Sequence, residues 1–179
     1  MKSSYTNEVK YDDIFKTILT LQKPKHIVEI GILEGYSLNL FSKYTKKCKI
    51  QAYDIFDEFN GNGGNKESLL ETFKDHEGLT IEYGDFYKLY ETMNSSIDII
   101  HIDIANNGDV YEYALKHYLP KLTDNGILLL EGGSTERDEV EWMNKYNKPK
   151  INPVLKKYEN EYSITVIGNF PSLTIIQKK

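Results

Sequence analysis

The sequence predicts an α/β fold: a doubly wound, mostly parallel seven-stranded sheet with helices on both faces and an antiparallel strand near the C-terminus. Three observations predict it. Short apolar runs alternate with amphipathic stretches along most of the chain, the pattern of strand–helix–strand units that build a parallel sheet with right-handed crossovers. One run, Ile97 to Ile102, is nearly all apolar, as a strand covered on both faces requires. The last two runs, Tyr162 to Ile167 and Ser172 to Gln177, are separated only by Gly168-Asn169-Phe170-Pro171, and so short a link joins antiparallel neighbours. With 179 residues, 40% of them apolar and 12% aromatic, the chain has material for one core and little for a second. Residues 1–179 therefore read as one domain, with 1–24 as an N-terminal helical segment.

Each element has its own justification. Tyr11 to Leu21 carries Ile14, Phe15, Ile18, Leu19 and Leu21 on one helical face, with Asp12 and Asp13 at the positive end and Pro24 as a stop. His26 to Ile30 is a strand closed by Gly31, and Ser37 to Tyr44 is a helix with Leu38, Leu40 and Phe41 inward. Lys49 to Ile55 is the second strand. The loop from Phe59 to Lys66 holds Gly61, Gly63 and Gly64 among asparagines and reads as a mobile lid. A helix over Glu67 to Lys74 leads to a third strand, Leu79 to Tyr83, and a short helix over Phe86 to Met93. After the fourth strand, Val110 to Leu119 is helical, the turn Asp124-Asn125-Gly126 sets up a fifth strand at Ile127 to Leu130, and Thr135 to Tyr146 is helical.

Composition narrows the function. The 22 basic and 27 acidic side chains give a net charge of −5, which argues against nucleic acid as a partner, since such proteins present a basic face. No apolar run approaches the roughly 20 residues needed to span a bilayer, so no membrane partner is expected. The start, MKSSYTNEVKYDD, lacks the apolar centre of a secretory signal, and the single cysteine, Cys48, cannot form an internal disulfide. The expected compartment is cytoplasmic.

In a doubly wound sheet, ligands bind beyond the carboxyl ends of the strands, where the strand order reverses. The residues there are Glu29 with Gly31, then Asp54, Asp85, Asp103 and Glu131. Singly, most would serve as helix caps or turn formers; five in succession beside a glycine loop point to a ligand. In that loop, Glu29 to Ser37, Gly31 permits a sharp turn and Gly35 a close approach to the ligand. The two glycines stand four apart with Leu33 and Glu34 between them. An acidic side chain there disfavours a pyrophosphate and suits a ligand carrying both an ammonium and a carboxylate. Asp54, 25 residues beyond Glu29, can take both hydroxyls of a ribose; on that reading Asp54→Ala removes affinity and spares the fold. Ile55 offers an adenine wall, Asp85 a partner for the adenine amine, and Phe86 a second ring.

The segments VEIGILEGYS, YDIF, GDF and IDIIHID resemble, in order and spacing, the nucleotide-site motifs of class I, Rossmann-like S-adenosylmethionine-dependent methyltransferases, in particular a small O-methyltransferase-like branch. The resemblance covers roughly Lys25 to Lys179. It implies that Glu29, Gly31, Gly35, Ser37, Asp54, Asp85 and Phe86 surround S-adenosylmethionine, with Ile55 and Asp103 alongside. It also implies the seven-stranded sheet with one antiparallel strand.

Methyl transfer to a hydroxyl benefits from a base or a metal. Metal-dependent relatives use a carboxylate after the fourth strand and an acidic pair after the fifth. Asp103 and Glu131 match two of those positions, with Ala105 and Gly132 where further acids would stand. Two carboxylates can hold Mg²⁺ with waters and an oxygen from Asn106 or Asn107. His101 lies two residues before Asp103 on one strand face, and the pair reads as an oriented base, so Asp103, His101 and Glu131 are the catalytic candidates. Tyr36 and Tyr111 are candidates for the acceptor pocket. The N-terminal segment, the Gly/Asn loop, 106–109 and 132–161 must build that pocket, because no substrate domain is present. Such a site suits a small-molecule acceptor, or completion by a second subunit in a homo-oligomer. Two other classes compete: a cofactor-binding partner or regulatory protein without activity, motivated by Ala105 and Gly132, and a nicotinamide-dependent oxidoreductase, against which the glycine spacing speaks.

Overall fold

The structure, a computed structural model, describes residues 1–5, 10–58 and 62–179. Seven strands form one sheet: β1 (His26–Ile30), β2 (Lys49–Asp54), β3 (Leu79–Tyr83), β4 (Ile97–Ile102), β5 (Leu122–Glu131), β6 (Tyr162–Ile167) and β7 (Leu173–Lys178). Their order is β3-β2-β1-β4-β5-β7-β6. The first five pair in parallel, whereas β7 runs antiparallel to both β5 and β6. The chain leaves β1 outward through β2 and β3, then returns to β4 on the other side of β1. That reversal opens a crevice beyond the β1 and β4 tips.

Alternation along the strands feeds two cores. Ile27, Ile50, Ile99 and Leu129 face one layer, made by α1 (Tyr11–Gln22), α2 (Tyr36–Tyr44) and α3 (Lys66–Thr72). Val28, Ile100, Leu128 and Ile176 face the other, made chiefly by α4 (Phe86–Leu89), α5 (Gly108–His117) and, later in the chain, α8 (Ile151–Tyr158). β4 is covered on both sides, which explains its apolar run.

Three elements depart from the sequence expectation. β5 begins at Leu122, and Asp124-Asn125-Gly126 lies inside the strand. The ladder passes from Ile97↔Leu122 to Ile99↔Ile127, so the tripeptide bulges out of the pairing and does not end it. The helix expected over Thr135 to Tyr146 is two, α6 (Thr135–Asp138) and α7 (Glu141–Lys145), because Val140 adopts an extended conformation between them. Finally, α8 was not expected. Pro153 sits in its first turn, where a missing N–H costs no helical hydrogen bond.

Candidate active site

A cavity of about 530 Å³ opens at the tips of β1, β2 and β4, a size suited to a small ligand. Its floor is the loop after β1, from Ile30 to Leu33, together with Tyr36 and Ser37. Asp54 and Ile55 close one end with Gly84, Asp85, Phe86 and Tyr87. Asp103, Ile104, Ala105, Asn107 and Val110 form the opposite wall, and Lys2, Ser3, Ser4, Asn62 and Lys148 complete the rim. Of the sequence candidates, Gly31, Ser37, Asp54, Ile55, Asp85, Phe86 and Asp103 meet here. Glu29, Gly35, His101 and Glu131 do not line the cavity.

Gly31 is required for a close approach. Its φ is +90°, and a Cβ there would come 2.1 Å from the backbone oxygen of Asp103. The absence of a side chain lets the β4 tip pass over the β1 loop. Gly35, expected to admit a ligand, instead begins α2 in the left-handed region and opens toward Leu69 and Phe73, each 3.0 Å from a built Cβ. Its freedom serves packing against α3.

Asp54 has more partners than a ribose contact needs. Its Oδ2 accepts from the Ile32 and Leu33 amides at 2.7 and 3.2 Å, and its Oδ1 from the Phe56 amide at 2.8 Å and the Asn62 side chain at 2.7 Å. The carboxylate ties the glycine loop to the end of β2. Only the Asn62 amide belongs to a side chain, and is thus the donor a ligand hydroxyl can replace. Of the expected lid, Phe59, Asn60 and Gly61 lie outside the described residues. Asp54→Ala is therefore expected to lose about 1–3 kcal/mol of stability from stranded amides, measured by urea unfolding. Unchanged stability would contradict this role.

Asp85 caps α4 through the Tyr87 amide at 2.9 Å. Phe86 is buried, its ring stacked on Tyr118 at 5.1 Å. Glu29 and His101 sit one layer below the cavity. Both share the strand face of Ile27 and Ile99, under α1 and α2, where His101 packs against Phe15 and Phe41. His101 Nδ1 is 3.0 Å from Glu29 Oε1, and its Nε2 is 3.0 Å from the Tyr5 hydroxyl. The Ser37 hydroxyl also donates to Glu29 Oε1. With both ring nitrogens engaged and no exposure, His101 is a buried link and not the expected base. Tyr36 reaches the cavity, whereas Tyr111 is fully buried, its hydroxyl 3.0 Å from the Glu131 carbonyl oxygen and 3.0 Å from Thr174 Oγ1.

Of the three catalytic candidates, Asp103 lines the cavity, alongside the acids Asp54 and Asp85. Its Oδ2 accepts from the Ser4 hydroxyl at 2.6 Å, and the Lys2 amide donates to Glu34 at 2.6 Å. Residues 2–4 thus form a roof, pinned by Asp103 on one side and Glu34 on the other.

Glu131 has a different partner from the one expected. The Arg137 guanidinium, which sequence reasoning missed, donates Nε to Oε1 at 2.7 Å and Nη2 to Oε2 at 2.9 Å. The two side chains are only 4–5% exposed. Mg²⁺ does not fit this arrangement. Both Glu131 oxygens are taken by a cation, and Asn106 is buried, with its amide nitrogen on the Ile102 and Glu131 carbonyls. Asn107 caps α5. The position for a second acid after β5 is closed to side chains: Gly132 and Gly133 have φ of +100° and +106°, and a Cβ at Gly133 would lie 2.0 Å from Thr174 Oγ1. Among the described residues, no three His, Cys, Asp or Glu side chains gather as a metal site.

Burial raises the Glu131 carboxyl and the Asp103 charge adds to the shift, while the Arg137 fork opposes it and keeps the pair charged. Burial also raises Asp103 and Glu29. Asp103 and Glu29 therefore keep their protons in the folded state over a range where the unfolded chain has released them. Stability falls as pH rises above the ordinary carboxyl range. The unfolding midpoint should be higher at about pH 5.5 than at about pH 7.5; the reverse order would contradict the raised carboxyls.

Comparison with known proteins agrees with this geometry. A family model described as a methyltransferase domain matches residues 28–131, more than half of the chain, from within β1 to the end of β5. The chain belongs to this methyltransferase family. Solved structures with the same fold include a methyltransferase from Podospora anserina bound to S-adenosylhomocysteine, with 18% identity, a TM-score of 0.69, and coverage of 97% of this chain and 80% of that one. An O-methyltransferase from Bacillus cereus in complex with S-adenosylhomocysteine has 16% identity and a TM-score of 0.69, over 99% of this chain and 84% of that one. An O-methyltransferase of tomaymycin synthesis from Streptomyces achromogenes, in complex with S-adenosylmethionine, has 14% identity and a TM-score of 0.69, over 97% and 82%. A search of curated proteins finds no match in sequence. Among the described residues, no helix is long and apolar enough to cross a membrane.

Proposed function

We propose that the chain is an S-adenosylmethionine-dependent methyltransferase, one domain in extent and cytoplasmic, which methylates an oxygen of a small molecule. The observation that carries this reading is the cavity lined together by the β1 loop, Asp54-Ile55 and Gly84-Asp85-Phe86. Relatives of the same fold bind S-adenosylmethionine or its product, and the residues here suit it. Asp54 would hold the ribose in exchange for Asn62, Ile55 and Phe86 would flank the adenine, and Ser37 and the Ile30–Leu33 loop would meet the amino-acid end.

When bound, the cofactor supplies a methyl group on a sulfonium: the acceptor oxygen forms the new C–O bond with its lone pair, and the C–S electrons pass to sulfur. The chain supplies alignment and a dry site. Asp103 is the group in reach of the acceptor, and it takes the hydroxyl proton as the bond forms. Its raised pKa brings it closer to the range where a carboxylate works as a base near neutrality. The segment Lys2 to Ser4 borders the cavity beside Asp103.

Thermal unfolding with S-adenosylhomocysteine, and separately with NAD, tests the cofactor. At a concentration ~100-fold above Kd, binding adds roughly 2.7 kcal/mol, or about 5–11 °C in the midpoint for a chain of this size. The shift is expected with S-adenosylhomocysteine only. A shift with NAD alone would restore the oxidoreductase reading.

A further inference from the structure

Arg137 is the chain's only arginine among 22 basic residues. Wherever else a cation stands on this protein a lysine suffices, mostly at the surface. The one guanidinium is 4% exposed, between the tips of β4 and β5. Its fork covers both oxygens of Glu131, and Nη2 also donates to the Asn106 carbonyl at 3.2 Å. Its carbon lies 5.2 Å from the ring centre of Trp142, the chain's only tryptophan. A lysine ammonium is a point donor and cannot span two carboxylate oxygens and a carbonyl in one plane.

We propose that Arg137 is the resident cation of the β4–β5 tips, occupying the charge position a divalent ion would need and holding the acceptor-side loop without metal. The loop in question is 104–107. Ile104, Ala105 and Asn107 line the cavity, and Asn106 is its buried anchor, joined to Arg137 through its carbonyl and to the Glu131 backbone through its amide. Arg137 is thus a positioning residue: it fixes the wall against which the acceptor lies. Among the described residues its Nη1, though buried, has no hydrogen-bond partner. The glycines at 132 and 133 fit the same account, since they leave Glu131 without a second acid at the two positions that follow it. The proposal rests on the methyltransferase reading for what the loop does; S-adenosylhomocysteine binding tests that reading separately and needs no metal.

The experiment uses full-length protein stripped with EDTA and titrated with Mn²⁺, followed by paramagnetic resonance of the free ion and by thermal unfolding. Wild type is expected to bind no Mn²⁺ tighter than roughly millimolar and to unfold at the same temperature in EDTA and Mn²⁺. Arg137→Ser leaves Glu131 without its cation in a space a hydrated ion can enter, and Mn²⁺ should raise its midpoint by about 3 °C or more. Arg137→Lys keeps the charge and should stay indifferent to Mn²⁺. Micromolar Mn²⁺ binding by wild type or Arg137→Lys overturns the proposal, as does a folded Arg137→Ser variant with no Mn²⁺ response. Should Arg137→Ser fail to fold, wild type and Arg137→Lys decide the matter.

Discussion

Glu131→Gln is expected to lower stability by about 3–5 kcal/mol, because it leaves a buried guanidinium without its counter-charge. For a chain of this length that corresponds to a fall of roughly 6–20 °C in the unfolding midpoint. The cause is specific to the pair. Both side chains are removed from water, so neither can recover its hydration when the other is neutralised. Glu131→Leu combined with Arg137→Met should recover much of the loss, since apolar groups of similar volume leave no charge to solvate. A double-mutant cycle by chemical unfolding measures this. If Glu131→Gln unfolds within about 1 kcal/mol of wild type, the pair is weaker than its two hydrogen bonds imply.

The second large effect concerns turnover. Asp103→Asn should slow methyl transfer by about 10²–10⁴-fold, the usual span for loss of a positioned base. The dissociation constant for S-adenosylhomocysteine should change only a few-fold. Asparagine can still accept the Ser4 hydroxyl, so the roof stays in place and the loss is chemical. Initial rates with methyl-labelled cofactor and a panel of small hydroxylated acceptors give the comparison. A wild-type rate in Asp103→Asn would remove the base, and a matching loss of cofactor binding would make Asp103 a cofactor ligand, as the sequence also suggested.

The sheet and the gathering of Gly31, Asp54, Asp85 and Asp103 around one cavity were readable because they depend on local rules. Apolar alternation marked the strands, and the topology then placed the residues after β1, β2, β3 and β4 at one edge. Glu29 and His101 show where that reading stops. A strand residue near a tip can point into the layer beneath as easily as toward the crevice, and the parity of Ile27 and Ile99 sends both under α1 and α2. Asp54 was located correctly at the cavity, yet its three backbone donors come from turns whose geometry no spacing rule describes. Ser4 and Tyr5 lie far in sequence from their partners Asp103 and His101, and carry no periodicity. Arg137 was hidden in a run that reads as a continuous helix; its rarity in a lysine-rich chain was the available signal.

On the proposed function, the crevice beyond β1, β2 and β4 holds an adenosyl cofactor. Calorimetric titration of S-adenosylhomocysteine into wild type and into Ile55→Trp tests it most directly, because the indole would fill the adenine end of the cavity while the carboxylates remain. The expected result is one molecule bound per wild-type chain and none by the tryptophan variant. Binding that survives the plug, or no binding by wild type, would contradict the account.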